Sequence, residues 1–254
     1  MDLGLNGRRA LVTGASMGIG LTTAETLAAE GCDVWLVARS RDLLEAAASR
    51  IRAEHGVEAH AVAADLSRSE EVDRLWADVP LPDILVNNAG AIPSGTIDAV
   101  DEETWRAAWD LKVWGFINLC RHAMADMGER GSGVIVNVIG GAGVKPTPGY
   151  IAGAGGNAAL MAITQALGST STRRGVRVVG INPGLIHTPR LEGLMRVAAE
   201  RRFGDADRWT EMLDQRFPPG KPEHIADAVA FLASDRSANT TGTVINIDGG
   251  GTAR

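Results

Sequence analysis

Seven short apolar runs punctuate this chain, all but the last followed by a longer stretch, and most of those stretches have helical spacing. That alternation limits the fold more than any other feature. The runs fall at 9–14 (RALVTG), 33–38 (DVWLVA), 58–64 (EAHAVAA), 83–90 (DILVNNAG), 133–140 (GVIVNVIG), 176–184 (VRVVGINPG) and 243–250 (TVINIDGG). Their near-continuous apolar character suits parallel strands covered on both faces. Helical spacing is read at 19–30, 41–55, 70–78, 104–127, 158–173 and 223–233. The alternation predicts an α/β fold: a single doubly wound, Rossmann-like domain over 1–254, with a parallel seven-stranded sheet and helices on both faces. No repeat, low-complexity linker or second domain interrupts it.

Composition narrows the partners. A net charge of −6 argues against nucleic acid or an anionic membrane surface. No segment approaches the roughly 20 apolar residues of a membrane span, and the N-terminal stretch lacks an apolar run of signal-peptide length. A soluble, cytoplasmic chain is therefore expected. Cys32 and Cys120 lie far apart among apolar neighbours and read as small buried hydrophobes, so no metal is expected.

One segment breaks the rhythm. From Pro189 to Pro222 the chain leaves a strand and wanders before the next helix, with Leu191, Leu194, Met195 and Ala198 at helical spacing. An insertion after the C-terminal end of a strand lies over the ligand crevice in such a fold. The 189–222 insertion is expected to be a substrate lid; a packing or oligomer contact is the other reading.

The stretch TGASMGIG (13–20) follows the first strand and opens the first helix. Gly14, Gly18 and Gly20 let the backbone turn and approach a pyrophosphate, and the helix N-terminus supplies N–H groups and a favourable dipole. Ser16 and Ile19 are candidates in the same loop.

With ADL (64–66), NNAG (87–90), NPGLIHT (182–188) and TGTVINIDGG (241–250), this loop resembles the short-chain dehydrogenase/reductase family over essentially the whole chain. The resemblance implies a nicotinamide cofactor, a small-molecule substrate and a homo-oligomer. By resemblance, Asp65 and Leu66 flank the adenine, and Asn87, Asn88, Ala89 and Gly90 steady the central strand and line the cofactor. Thr188 and the backbone near Ile186 hold the nicotinamide carboxamide, with Pro183 and Gly184 in the same stretch. Ala38 stands where NAD-preferring relatives carry an acid that repels a 2′-phosphate, and Arg39 follows it. A planar guanidinium there can stack on adenine and pair with the phosphate, with Ser40 and Arg41 close by. NADP is expected ahead of NAD, although Met17 departs from the basic residue many NADP users carry in the loop.

The common branch of this family carries Asn, Ser, Tyr and Lys, the last two as Y-x-x-x-K, and all four positions are substituted here. The flanking residues put Asn157 at the lysine position, Gly153 at the tyrosine, Gly140 at the serine and Lys112 at the asparagine. Lys112 and Asn157 look like an exchange of ammonium and amide between two helices, which would retain ribose binding or a proton relay; a surface lysine beside Trp109 and Trp114 is the alternative. Tyr150, the one tyrosine in the chain, precedes Asn157 by the spacing of the Y-x6-K enoyl reductase branch. It reads as a proton donor, a substrate contact or plain packing. His187 is a conceivable acid. The expected function is an oxidoreductase passing a hydride between NAD(P)(H) and a small organic substrate, with Tyr150, Lys112 and Asn157 as its chemical residues. A non-catalytic NADP-binding sensor or silent subunit is the alternative, followed by an enoyl-type C=C reductase or a non-redox lyase.

Overall fold

The computed structural model describes residues 1–214 and 216–253; Gln215, inside the 189–222 segment, and Arg254 lie outside the described residues. Among these residues one seven-stranded sheet forms, in the order β3-β2-β1-β4-β5-β6-β7. Its strands are β1 (Arg9–Thr13), β2 (Asp33–Ala38), β3 (Ala59–Ala63), β4 (Ile84–Asn87), β5 (Gly133–Val138), β6 (Val176–Pro183) and β7 (Val244–Ile247). Every neighbouring pair is parallel. The apolar runs are thus strands of a doubly wound sheet, and their outer polar residues belong to the loops.

Each face of the sheet has its own core. Helices α1 (Gly18–Ala29), α2 (Arg41–His55) and α8 (Pro222–Ala233) cover one face, burying Leu27, Leu44 and Val229 against Val12 and Leu36. Helices α3 (Ser69–Asp78) and α5 (Gly115–Arg130) pack Leu75, Leu119 and Met127 on the other. There α6 (Ile151–Ser171) joins them, through Leu160 against Phe116 and Ile139. Cys32 and Cys120 are buried, and burial pushes both thiols up to about 12, which makes them inert. No described helix is long and apolar enough to cross a membrane.

Two helices depart from the sequence expectation. The stretch expected as one helix over 104–127 is α4 (Glu102–Trp109), a π turn (Asp110–Trp114) and α5. Apolar periodicity does not register one extra residue in a turn. The helix expected over 158–173 begins at Ile151; the glycines of IAGAGG are poor helix formers alone, but Gly155 and Gly156 pack closely on Trp109 of α4 and Val113 of the π turn.

The order of the strands reverses between β1 and β4, which opens a crevice at their C-terminal ends. Buried amides fix that edge. Asn87 donates to the Asn137 side-chain oxygen at 2.9 Å, Asn137 donates to Thr164 Oγ1 at 2.9 Å, and Thr164 donates to the Leu160 carbonyl at 2.7 Å. This chain of donors ties β4, β5 and α6 together.

Between β6 and α8 the chain makes its long excursion, as α7 (Pro189–Phe203) and a 3-10 turn (Ala206–Met212). Its base is closed by a parallel bridge: the His187 N–H donates to the Gly220 carbonyl, and the Gly220 N–H to the Leu185 carbonyl, both at 2.8 Å. Arg196 donates to Glu192 at 2.9 Å and Asp207 at 2.6 Å, joining the helix to the turn.

Replacing Asn137 with Leu removes the oxygen that accepts from the Asn87 amide and the amide that donates to Thr164 Oγ1, leaving Asn87 only its weak contact with Cys120 Sγ. We expect a loss of about 2–4 kcal/mol in urea unfolding, with Thr164→Val costing about 1 kcal/mol. Equal stability of Asn137→Leu and wild type would show that the chain of amides does not hold α6.

Candidate active site

The crevice encloses about 1380 Å³. At one end lies the glycine loop. Gly14 and Gly18 have φ of +66° and +58°, where a side chain is strained. A Cβ on Gly14 would stand 2.9 Å from the Ala89 Cα, and one on Gly20 only 2.3 Å from the Gly14 carbonyl oxygen. Gly14, Ser16, Gly18 and Ile19 line the crevice. Gly20 does not reach it; its bare Cα instead lets α1 pack against the loop. No side chain caps α1, so its first N–H groups remain available to an anion.

Asn88 joins this loop to β4. Its N–H donates to Thr13 Oγ1 at 2.9 Å and its side-chain amide to the Thr13 carbonyl at 3.0 Å, while the Ala89 N–H also reaches Thr13 Oγ1 at 3.1 Å. Asn88, Ala89 and Gly90 line the crevice, as do Pro183, Gly184, Ile186 and Thr188 on the opposite wall. Thr188 caps α7 by accepting from the Leu191 N–H at 3.3 Å.

Arg39, Ser40 and Leu66 line the end below β2 and β3, but Asp65 does not. Its carboxylate is turned back to accept from the Ser67 N–H at 3.1 Å and hydroxyl at 2.7 Å. Partial burial works to raise its pKa, yet the Ser67 bonds and the charges of Arg39 and Arg68 outweigh it and the net shift is downward. Asp65 therefore braces the turn and balances Arg39. Among the described residues the acidic side chains lining the crevice are Asp214 and Asp248, both contributed after β6.

Lys112, Asn157 and Tyr150 share the other end of the same crevice. The surface reading of Lys112 fails. It is 8% exposed, and its Nζ donates to the Ile139 carbonyl at 2.6 Å. The π turn explains this, since one additional residue rotates the rest of the helix by about 100°. Gly90 makes room, because a Cβ there would lie 2.8 Å from the Lys112 Cδ. Burial, helped by the nearby Arg190 charge, lowers the ammonium from the usual 10.5 to about 7.

Asn157 donates its amide to the Gly140 carbonyl at 3.2 Å, while its buried Oδ1 has no partner among the described residues. Gly140 has a φ of +136°, and a Cβ on it would come within 2.8 Å of the Asn157 Nδ2. A serine at 140 would be strained on this backbone and would have to displace the Asn157 amide. Tyr150 precedes α6 as its N-cap residue, and its ring lies over Gly153. A Cβ on Gly153 would be 2.0 Å from the Tyr150 Cε1. The ring of residue 150 fills the space into which a side chain at 153 would project. Burial raises the phenol pKa and Arg190 opposes that rise.

The remaining candidates divide. His187 does not line the crevice; its ring stands 6.1 Å from that of Trp209. Trp109 donates to the Ala152 carbonyl at 2.9 Å and Phe116 is buried, so these two hold α6 in place. Trp114 is 52% exposed. Sequence reasoning overlooked Arg190, which lines the crevice and donates to the Gly90 carbonyl and, at 3.0 Å, to that of Ile92. Its signal was its place: a cation in the first turn of a helix opposes the macrodipole.

Lys112→Met should stabilise the fold by about 2–4 kcal/mol below pH 7, after allowance for the orphaned Ile139 carbonyl. The unfolded lysine keeps its proton to near 10.5 and the folded one loses it near 7. Between those values the unfolded chain binds more protons, so wild type gains stability as pH rises and the advantage of the variant shrinks. Urea midpoints from pH 6 to 9 measure this; a pH-independent difference would contradict the buried ammonium.

The comparisons with known proteins agree with this geometry. Residues 8–196 match the family model for the short chain dehydrogenase. The 3beta-hydroxysteroid dehydrogenase 1 of Eggerthella lenta is 36% identical over 97% of this chain and 94% of its own. The L-sorbose reductase of Gluconobacter frateurii, solved with NADPH and L-sorbose, superposes with a TM-score of 0.91 at 33% identity, covering 98% of each chain. An actinorhodin polyketide ketoreductase variant solved with NADPH gives a TM-score of 0.90 at 29% identity, over 96% of this chain and 97% of the other. With a family model over 8–196 and a relative 36% identical over 97% of its length, the chain belongs to the short-chain dehydrogenase family.

Proposed function

We propose that this protein is an NADP(H)-dependent oxidoreductase acting on a small carbonyl compound or the corresponding alcohol, with a rearranged acid–base site. The observation that carries the reading is the Tyr150 ring standing in the space of a residue-153 side chain, in one crevice with Lys112 and Asn157. The nicotinamide, when bound, supplies or accepts the hydride; the chain supplies everything else.

The glycine cradle fits a dinucleotide, because the approach of β1, α1 and β4 leaves no room for a Cβ on Gly14 or Gly20. The uncapped N–H groups of α1, with Ser16, Gly18 and Ile19, hold the pyrophosphate. Leu66 lies against the adenine, and Arg39 and Ser40 bind the 2′-phosphate. Among the described residues no acid lines that end, which, together with the NADPH held by the two solved relatives, supports NADP over NAD. Asn88 to Gly90, Pro183, Gly184, the Ile186 backbone and Thr188 border the nicotinamide half. The unpartnered Asn157 Oδ1 accepts from a ribose hydroxyl, a role of opposite polarity to that of a lysine.

At the reacting carbon, Tyr150 donates a proton to the developing alkoxide oxygen in reduction and takes it back in oxidation. Its burial favours the protonated phenol, the form reduction needs. Lys112, held at the Ile139 carbonyl, carries the proton between Tyr150 and solvent; titrating near neutrality suits it to relay work in either direction. The 189–222 excursion acts as the lid that excludes water. A binding protein without turnover is the second reading, favoured by the bare Gly140 and Gly153.

Calorimetric titration should show NADPH binding ahead of NADH, and Arg39→Glu should weaken NADPH by about 10–100-fold. Wild type should oxidise NADPH in the presence of a vicinal diketone. Tyr150→Phe should slow that reaction by about 10²–10⁴-fold at unchanged NADPH affinity. Unchanged turnover in Tyr150→Phe would remove the phenol from the mechanism, and tight binding with no turnover on any carbonyl would favour the second reading.

A further inference from the structure

The chain carries Asn157 on α6 where the family carries a lysine, and a positive charge near a phenol favours its phenolate form. We propose that Arg190, borne by the excursion rather than by the sheet or α6, is that charge, and that docking of the excursion is what sets Tyr150 for proton transfer. The inference rests on the acid–base role proposed for Tyr150.

The geometry runs through one short segment. After β4 the chain passes from Gly90 to Ile92 and on to Gly95, with Lys112 on one side and Tyr150 on the other. Gly90 faces the Lys112 stem, and Ile92 packs in the cluster that contains Tyr150. Gly95 is bridged to Tyr150, its N–H donating to the Gly149 carbonyl at 2.8 Å and its carbonyl accepting from the Ile151 N–H at 3.4 Å. Arg190 grips this segment from the excursion, donating through one guanidinium nitrogen to the Gly90 carbonyl and through the other to that of Ile92. Both of these partners are neutral carbonyls, and Arg190 lies at the exposed rim of the crevice.

The apolar side chains packed with Tyr150 are Ile92, Trp105, Ala108, Trp109 and Ala152, while the cations Lys112, Lys145 and Arg190 line the same crevice. Arg190 is the charged side chain acting on the phenol, and it acts on Lys112 as well. A cation favours phenolate and disfavours a second ammonium. Docking therefore moves both groups toward their deprotonated forms, easing return of the proton in alcohol oxidation and release of the Lys112 proton. Because Arg190 arrives with the first turn of α7, chemistry and closure share one residue. Arg190 is a positioning residue here, since it acts through Tyr150 and Lys112.

The chain has one tyrosine, so tyrosinate absorbance reports this group alone. The test is a stopped-flow pH jump on the cofactor-free protein, read before alkaline unfolding, for wild type, Arg190→Gln and Arg190→Lys. Arg190→Gln should move Tyr150 ionisation upward by about one pH unit, and Arg190→Lys should leave it near wild type. Coincident titrations, or a downward shift in Arg190→Gln, would overturn the proposal. A parallel series on NADP-dependent oxidation of a secondary alcohol should show kcat reduced and displaced to higher pH in Arg190→Gln, at unchanged NADP affinity. If wild type turns over no substrate, the oxidoreductase reading fails on its own, and the absorbance titration still decides whether Arg190 tunes the phenol.

Discussion

Two groups cannot fill one space, and the candidate site is built around that exclusion. With the Tyr150 ring over Gly153, position 153 can carry nothing. The same logic recurs at the neighbouring wall, where the Asn157 amide occupies the direction in which a residue-140 side chain would leave the backbone. The two glycines are thus complements of groups arriving from elsewhere, and not simple deletions. Gly90 repeats the pattern a third time by yielding to the Lys112 stem. At positions 140 and 153 the space of the missing family side chain is taken by a side chain of another residue, Asn157 and Tyr150 respectively.

That arrangement has an energetic signature. A buried ammonium with one carbonyl partner and no carboxylate is a burden on folding, and native chains tolerate it mainly where chemistry needs it. The buried Arg177 makes the contrast. It donates to the carbonyls of Leu232, Ser234 and Thr240 and to the Ser237 hydroxyl, far from the crevice, and so knits the end of α8 to β6. One cation is saturated and structural; the other is undersupplied with acceptors and faces a cavity.

Most of the fold could be read in the chain, because apolar runs of strand length and turn glycines are local signals. The parallel order follows from them together with the handedness of strand–helix–strand units. Loop residues such as Gly14, Asn88 and Thr188 were equally visible, since their backbone roles depend on immediate neighbours. What could not be read is what depends on phase and on distant approach. The π turn at Asp110–Trp114 decides whether Lys112 points to water or inward, and an average periodicity is blind to it. The ring of Tyr150 meets Gly153 only because α6 starts at Ile151, earlier than its apolar spacing announces. Arg190 reaches Gly90 and Ile92, contacts between residues 100 and 98 positions apart. Asp65 is a motif position whose carboxylate bonds Ser67 in its own turn, a contact that the motif does not announce.

The bridge between Ile186 and Gly220 has a further consequence. With its two ends hydrogen-bonded to each other, the excursion between them is a closed loop whose entropy of closure is almost independent of the residues it holds. It can exchange with open states as a unit, on its own timescale, while the sheet and the cofactor cradle beneath stay folded. A loop hinged in this way can also change in length and composition without disturbing the register of β6 or the start of α8. The base of the excursion is in that sense a graft junction, where one oxidoreductase scaffold can accept different covers.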